Sequence, residues 1–193
     1  PLTWISYLID MSLFDLNAGA YHLENAVWHG LNGVLVYLCV LLYSKRQDLS
    51  LFVAILFIVH PAHVESVAWI SERKDVLSTF FGLASILAYH RYSIRGGRVF
   101  YAITLLLFGC SLMAKPMLVT LPILLLLLDA YPLARSETRD DGIKCLVEKI
   151  PFVCLAIMSA LVTLWAQAGT EAIQSTDSFP IVTRLANAVH AYG

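Results

Sequence analysis

The chain has 193 residues, 59% of them hydrophobic and 14% charged, and a net charge of −1 at pH 7; its mean hydropathy is +0.72. Soluble domains carry about 25% charged residues, so the composition points to a membrane protein, and the balanced charge argues against a nucleic-acid partner or a general attraction to anionic surfaces. The length suits a single helical bundle. The start on Pro1 and the end on "NAVHAYG", in mid-pattern, read as a piece of a longer protein, and no signal peptide is visible.

In chain order, apolar runs alternate with polar breaks. The runs cover Ala26–Tyr43, Leu49–Val59 with a weaker continuation past Pro61 to Ile70, Val76–Tyr89, Val99–Ala114, Met117–Ala130 and Ile150–Ala166. A full crossing takes about 20 residues, and the pattern predicts an all-α, polytopic transmembrane bundle with about six crossings. The shorter runs would cross through polar extensions or local thinning of the bilayer. "LPILLLLLDAYP" reads as a lipid-facing helix with Pro122 near its start and Pro132 past its end, and Asp129 takes no assigned role. Cys39, Cys110, Cys145 and Cys154 form no CxxC pair and read as buried free thiols.

The breaks set the orientation. "SKRQD", "RYSIRGGR" and "ARSETRDDGIKCLVEK" are alternate loops and hold nine of the 13 Lys and Arg residues. The positive-inside rule places these loops in the cytoplasm. Residues 1–19, the stretch "HPAHVESVAWISERKD" (His60 to Asp75), the Lys115-Pro116 turn and the tail from Gln167 then fall on the other side, facing the periplasm, a lumen or the exterior.

Several polar residues stand out against this background. His22, Asn25, His29 and Asn32 recur at steps of three, four and three, so they share one helical stripe. Such a stripe avoids lipid; it serves either interhelical hydrogen bonding or the lining of a cavity. In the His60–Asp75 stretch, His60, His63 and Glu65 are potential zinc ligands by type, but HExxH is absent and the spacing is generic, so no metal site is assigned. Metal involvement would take the form of a divalent ion shared with a phosphate. Glu65 and Glu72, seven apart, would share the face of one helix, with Trp69 beside them and Arg73 and Lys74 at its end. That is the pattern of an interfacial amphipathic helix, yet few hairpin turns concentrate acid, base and imidazole in this way. Lys115 is the second anomaly, a lone cation between "LLLFGCSLMA" and "PMLVTLPILL"; it either snorkels to headgroups or binds a phosphate as a point charge.

The segments "PLTWISYLID", "YHLENAVWHGLN", "HPAHVESVAWISERKDVLS", "AKPMLVTLPILLLLLDAYPL", "WAQAG" and "RLANAVHAY", in this order, resemble bacterial members of the transmembrane and tetratricopeptide-repeat family. Their animal relatives are protein O-mannosyltransferases acting on cadherins. The family in turn resembles the GT-C glycosyltransferases, multi-spanning helical proteins that pass a sugar from a polyprenyl phosphate to an acceptor on the non-cytoplasmic side. The resemblance implies a partial GT-C-like membrane domain over residues 1–193, an integral protein of the bacterial inner membrane, a polyprenyl-phosphate-linked sugar, mannose by the family's name, as donor, and a protein or glycan acceptor. It also implies that the main catalytic acid lies upstream of Pro1 and the tetratricopeptide repeats downstream. Asp10 and Asp15 belong to the same first outer loop and are not promoted to the base.

The residues suit such chemistry on their own terms. A lipid-linked donor has an anionic phosphate at the membrane surface, and Arg73, Lys74 and Lys115 are the cations available to it. The acceptor hydroxyl needs a base, for which Glu65, His60 and His63 are the candidates. His22, Asn25, His29 and Asn32 would line the cavity. The alternatives are a transporter-like bundle, for which repeated halves and broken helices at the midplane would be expected, and a non-catalytic anchor for repeat-based protein interactions.

Overall fold

The computed structural model describes residues 1–135, 138–168 and 186–187. The chain divides into two compact units, Pro1–Ser159 and Ala160–Gly193. Among the described residues of the second are the last turns of one helix and residues 186–187; the tail, including most of "RLANAVHAY", lies outside the described residues.

Helix α1, Leu2–Phe14, buries Thr3 and Asp10 on one stripe and leaves Trp4, Leu8 and Leu13 exposed. The Asn17 side chain accepts from the backbone N–H groups of Gly19 and Ala20 and so starts α2, Ala18–Ser44. Helix α3, Gln47–Val59, stops at His60, whose backbone is extended because a residue before proline avoids the helical region. A 3₁₀ turn at Pro61–His63, helix α4 at Val64–Ala68 and a second 3₁₀ turn at Ile70–Glu72 lead into α5, Arg73–Arg95. Gly96 and Gly97, with φ of 66° and 96°, turn the chain tightly into α6, Arg98–Ala114, a conformation that glycine adopts without a Cβ clash. A 3₁₀ turn at Leu118–Thr120 precedes α7, Leu121–Ala130; α8, Arg139–Glu148, and α9, Ile150–Ala168, complete the described helices.

Two expectations are corrected here. His60–Asp75 does not form one amphipathic helix carrying Glu65 and Glu72 on a shared face. Trp69 is extended (φ −89°, ψ 121°) and ends α4, and Arg73 opens α5 instead of closing the earlier helix. The Trp69 carbonyl is held by Asn25 Nδ2 at 3.1 Å, a partner 44 residues away that compensates for the helical bonds lost at the break.

The second correction concerns the crossings. Among the described residues two helices, Ala18–Ser44 and Asp140–Ala168, are long and apolar enough to span a membrane, or three if the pair Gln47–Val59 and Pro61–Ala68, bent by 49°, counts as one span. The six expected do not all qualify. Leu2–Phe14, Arg98–Ala114 and Leu118–Ala130 are apolar but have only 10–17 residues, short of the roughly 30 Å hydrocarbon layer at 1.5 Å per residue. Helix α5 is long enough but carries Arg73, Lys74, Asp75, His90, Arg91 and Arg95.

In the first unit α2 packs on α3 and α5, and α5 forms an antiparallel hairpin with α6. The apolar core gathers Tyr89, Phe108, Leu112, Leu121, Leu125, Phe152 and Ala156. Gly33 and Gly82 mark close approaches: a Cβ on the first would run into the Ile58 side chain, and on the second into Leu118.

Candidate functional site

Arg73, first residue of α5, has no solvent exposure. Its guanidinium pairs with Asp10 of α1 and with Glu24 Oε2 of α2 at 3.2 Å. Nε donates to Asn25 Oδ1 at 3.0 Å and Nη2 to the Tyr21 carbonyl at 3.2 Å. The Tyr7 and Tyr21 rings flank it at 4.9 and 5.5 Å. A planar, five-donor group suits this convergence of partners, which an ammonium would not satisfy. Arg73 therefore ties α1, α2 and α5 together. The Tyr7 hydroxyl donates to the Ile70 carbonyl at 2.5 Å; burial raises its pKa above the usual phenol value against the opposing pull of Arg73, with Glu72 and Asp10 adding to the rise.

Next to this buried hub lies a half-exposed charged rim. Lys74 pairs with Glu72 at 3.1 Å. Lys115, the residue that ends α6, pairs with Asp75 and reaches the other Glu72 oxygen at 3.9 Å. Ser66 of α4 donates to Asp75 at 3.2 Å, and Thr3 of α1 to the Ala114 carbonyl at 3.2 Å. Lys74 and Lys115, 41 positions apart in the sequence, thus meet around Glu72, with Arg73 buried between the two rim acids in the chain. Glu65 is exposed, and its carboxylate has no hydrogen bond or ion pair among the described residues.

The polar stripe of α2 divides. Asn25, His29 and Asn32 are buried, whereas His22 is exposed. Asn32 Nδ2 donates to the Val76 carbonyl at 2.9 Å while its Oδ1 is buried without a partner. His29 bonds to the Ile58 carbonyl at 3.1 Å through Nε2. Of the four, His29 lines a cavity of about 350 Å³ together with His60, His63, Ile58, Val59, Val64, Val67 and Ala68. His63 Nδ1 lies 2.8 Å from the Phe57 carbonyl, and His60 Nδ1 accepts from Ala62 N–H at 3.2 Å. Among the described residues no group of three or more His, Cys, Asp or Glu is placed to hold a metal ion.

A second network was not anticipated from the sequence. Asp129 and Lys149, both 1% exposed, pair at 2.6 Å, and the Tyr89 hydroxyl lies 2.6 Å from Asp129 and 2.6 Å from Lys149. Arg135 bonds Asp129 at 3.0 Å and both Glu148 oxygens at 3.1 Å. Two acids and two bases cancel, so the cluster carries no net charge into the interior. The one local signal was an Asp at the end of a polyleucine helix; of its partners, Tyr89 and Lys149 come from remote segments.

No family model matches the chain, and no solved structure is detected as similar. Three animal proteins are among the curated relatives of the chain. It is 38% identical over 90 residues to protein O-mannosyl-transferase TMTC3 of Mus musculus, covering 46% of this chain and 10% of that protein. It is 29% identical over 157 residues to protein O-mannosyl-transferase TMTC1 of Mus musculus (75% of this chain, 17% of that protein). With protein O-mannosyl-transferase TMTC2 of Mus musculus it shares 28% over 171 residues, 86% of this chain and 20% of the relative. The chain thus spans a fifth or less of the length of these three relatives.

Proposed function

We propose that the chain is part of the membrane core of a glycosyltransferase of GT-C type that moves a sugar, mannose by analogy with its relatives' names, from a polyprenyl-phosphate donor to a protein or glycan acceptor. The reading places this reaction on the non-cytoplasmic side, in a bacterial cytoplasmic membrane, with His60–Asp75 facing the periplasm. The observation that carries it is the meeting of Lys74 and Lys115 around Glu72, to which α4 joins a histidine-lined cavity through Ser66 and Asp75.

In this reading the two lysines exchange Glu72 and Asp75 for the donor phosphate and stabilise the charge that grows on it as it leaves. Arg73, engaged by Asp10, Glu24, Asn25 and the Tyr21 carbonyl, positions the rim. Glu65, or the acid expected upstream of Pro1, takes the proton of the acceptor hydroxyl. The acceptor oxygen bonds to C1 of the sugar, the C1–O bond to phosphate breaks, and the polyprenyl phosphate departs with the electron pair. A permeation path is disfavoured because Asn25, His29 and Asn32 spend polar atoms on backbone carbonyls instead of presenting a continuous wet wall.

The test is mannosyl transfer from a polyprenyl-phosphate donor by the full-length protein in liposomes. Charge-assisted hydrogen bonds are worth about 1.5–3 kcal/mol, so Lys74→Ala and Lys115→Ala should each lower donor use about tenfold or more. Glu65→Gln should lower turnover more than donor affinity. Near-normal transfer by all three variants at equal expression would sink the reading.

A further inference from the structure

The backbone dictates which nitrogen of each cavity histidine carries its proton. A carbonyl oxygen can only accept, so the contact to Ile58 makes His29 Nε2 a donor, and the contact to Phe57 makes His63 Nδ1 a donor. In the neutral ring the other nitrogen is then an acceptor: His29 Nδ1 and His63 Nε2, neither with a hydrogen-bond partner among the described residues. His60 is reversed. Its Nδ1 accepts from Ala62 N–H, so its proton sits on Nε2. The histidines that line the cavity thus have two imidazole acceptors and one imidazole donor between them, next to Ile58, Val59, Val64 and Val67, of which Ile58, Val59 and Val64 are exposed.

That pattern selects a ligand class. An anion is disfavoured, because no Lys or Arg lines the cavity and an imidazole lone pair repels it. A metal finds only two imidazole lone pairs, the third being used by Ala62. A neutral polyol with an apolar face fits both features: hydroxyls donate and accept, and ring C–H groups cover the aliphatic wall. The volume of about 350 Å³ falls at the lower end of the roughly 300–1,000 Å³ of small-ligand pockets. Helix α4 connects it to the charged rim, since Val64, Val67 and Ala68 line the cavity while Ser66 bonds Asp75.

We infer that this cavity binds the hexopyranose ring of the lipid-linked donor, His29 Nδ1 and His63 Nε2 accepting from sugar hydroxyls and His60 Nε2–H donating to one. The inference rests on the glycosyltransferase reading for the source of the sugar, but the cavity chemistry can be tested apart from it. Two substitutions keep a donor toward each backbone carbonyl and displace the acceptor from the position of the imidazole lone pair, because the amide oxygen lies elsewhere. His29→Gln retains a donor at the Nε2 position, and His63→Asn retains one at the Nδ1 position.

The experiment uses the full-length protein in nanodiscs with ¹⁵N-labelled histidine. The expected spectrum has His29 and His60 protonated on Nε2 and His63 on Nδ1. Methyl α-D-mannopyranoside should shift His29 Nδ1 and His63 Nε2 saturably, and cyclohexane-sized apolar probes should not. In transfer assays each variant should raise the donor KM about three- to tenfold, the range of a lost neutral hydrogen bond, with the acceptor KM unchanged. The inference is overturned by the opposite tautomers, by histidine signals indifferent to the glycoside, or by a KM change confined to the acceptor. Saturable histidine shifts in a wild-type protein that transfers no sugar would uphold the cavity and overturn the transferase reading alone.

Discussion

Replacing Arg73 by Met removes a cation that is fully buried and leaves the Asp10 carboxylate, whose side chain is 3% exposed, without its counter-charge. Glu24, Asn25 and the Tyr21 carbonyl lose their partners at the same time. Breaking a buried ion pair by deleting one member costs about 3–5 kcal/mol. For chains of this size a loss of 1 kcal/mol lowers the melting point by about 2–4 °C, so the expected fall is roughly 6–20 °C. The four tryptophans permit intrinsic-fluorescence melts of the purified protein in detergent. The triple variant Arg73→Met, Asp10→Leu, Glu24→Gln removes the stranded charges as well and should recover most of the loss, since a buried ion pair is often no better than apolar packing of like volume. Lys74→Ala and Lys115→Ala, on the exposed rim, should change the melt little, because partly exposed pairs are worth about 0–1 kcal/mol. A melt of Arg73→Met within about 2 °C of wild type, half a kcal/mol to 1 kcal/mol on the same scale, would refute the view of Arg73 as the residue that fastens α1 to α2 and α5.

The same reasoning applies to the other buried network. Asp129→Asn should destabilise by about 3–5 kcal/mol by stranding Lys149, and Asp129→Leu combined with Lys149→Met should lie closer to wild type than either single change; additive losses in a double-mutant cycle would contradict the pairing. Ser71, exposed between Ile70 and Glu72, tests orientation: Ser71→Cys in a background without Cys39, Cys110, Cys145 and Cys154 should react with an impermeant thiol reagent in intact cells, and labelling only after permeabilisation would reverse the proposed sidedness.

The sequence by itself determined the features that depend on neighbours in the chain. Apolar content and run length identify a helical membrane protein because hydrogen bonding within each segment and burial in lipid are local requirements. The three-four-three spacing puts Asn25, His29 and Asn32 on one face of α2, since that periodicity is set by the helix itself, and these three are buried; His22, nearer the helix start, is exposed. Only the tertiary structure decided what the charges do. Arg73 and Asp10 are 63 residues apart, and Asp129 and Lys149 are 20 apart, on different elements. Whether a cation ends in a buried cage or on an exposed rim depends on which remote carboxylate reaches it. The break at Trp69 is likewise tertiary, because Asn25 holds the carbonyl at that point. The proton positions on His29 and His63 follow the same logic: imidazole is ambivalent in the sequence, and it becomes an acceptor on one side only when a carbonyl from the neighbouring helix end engages the other.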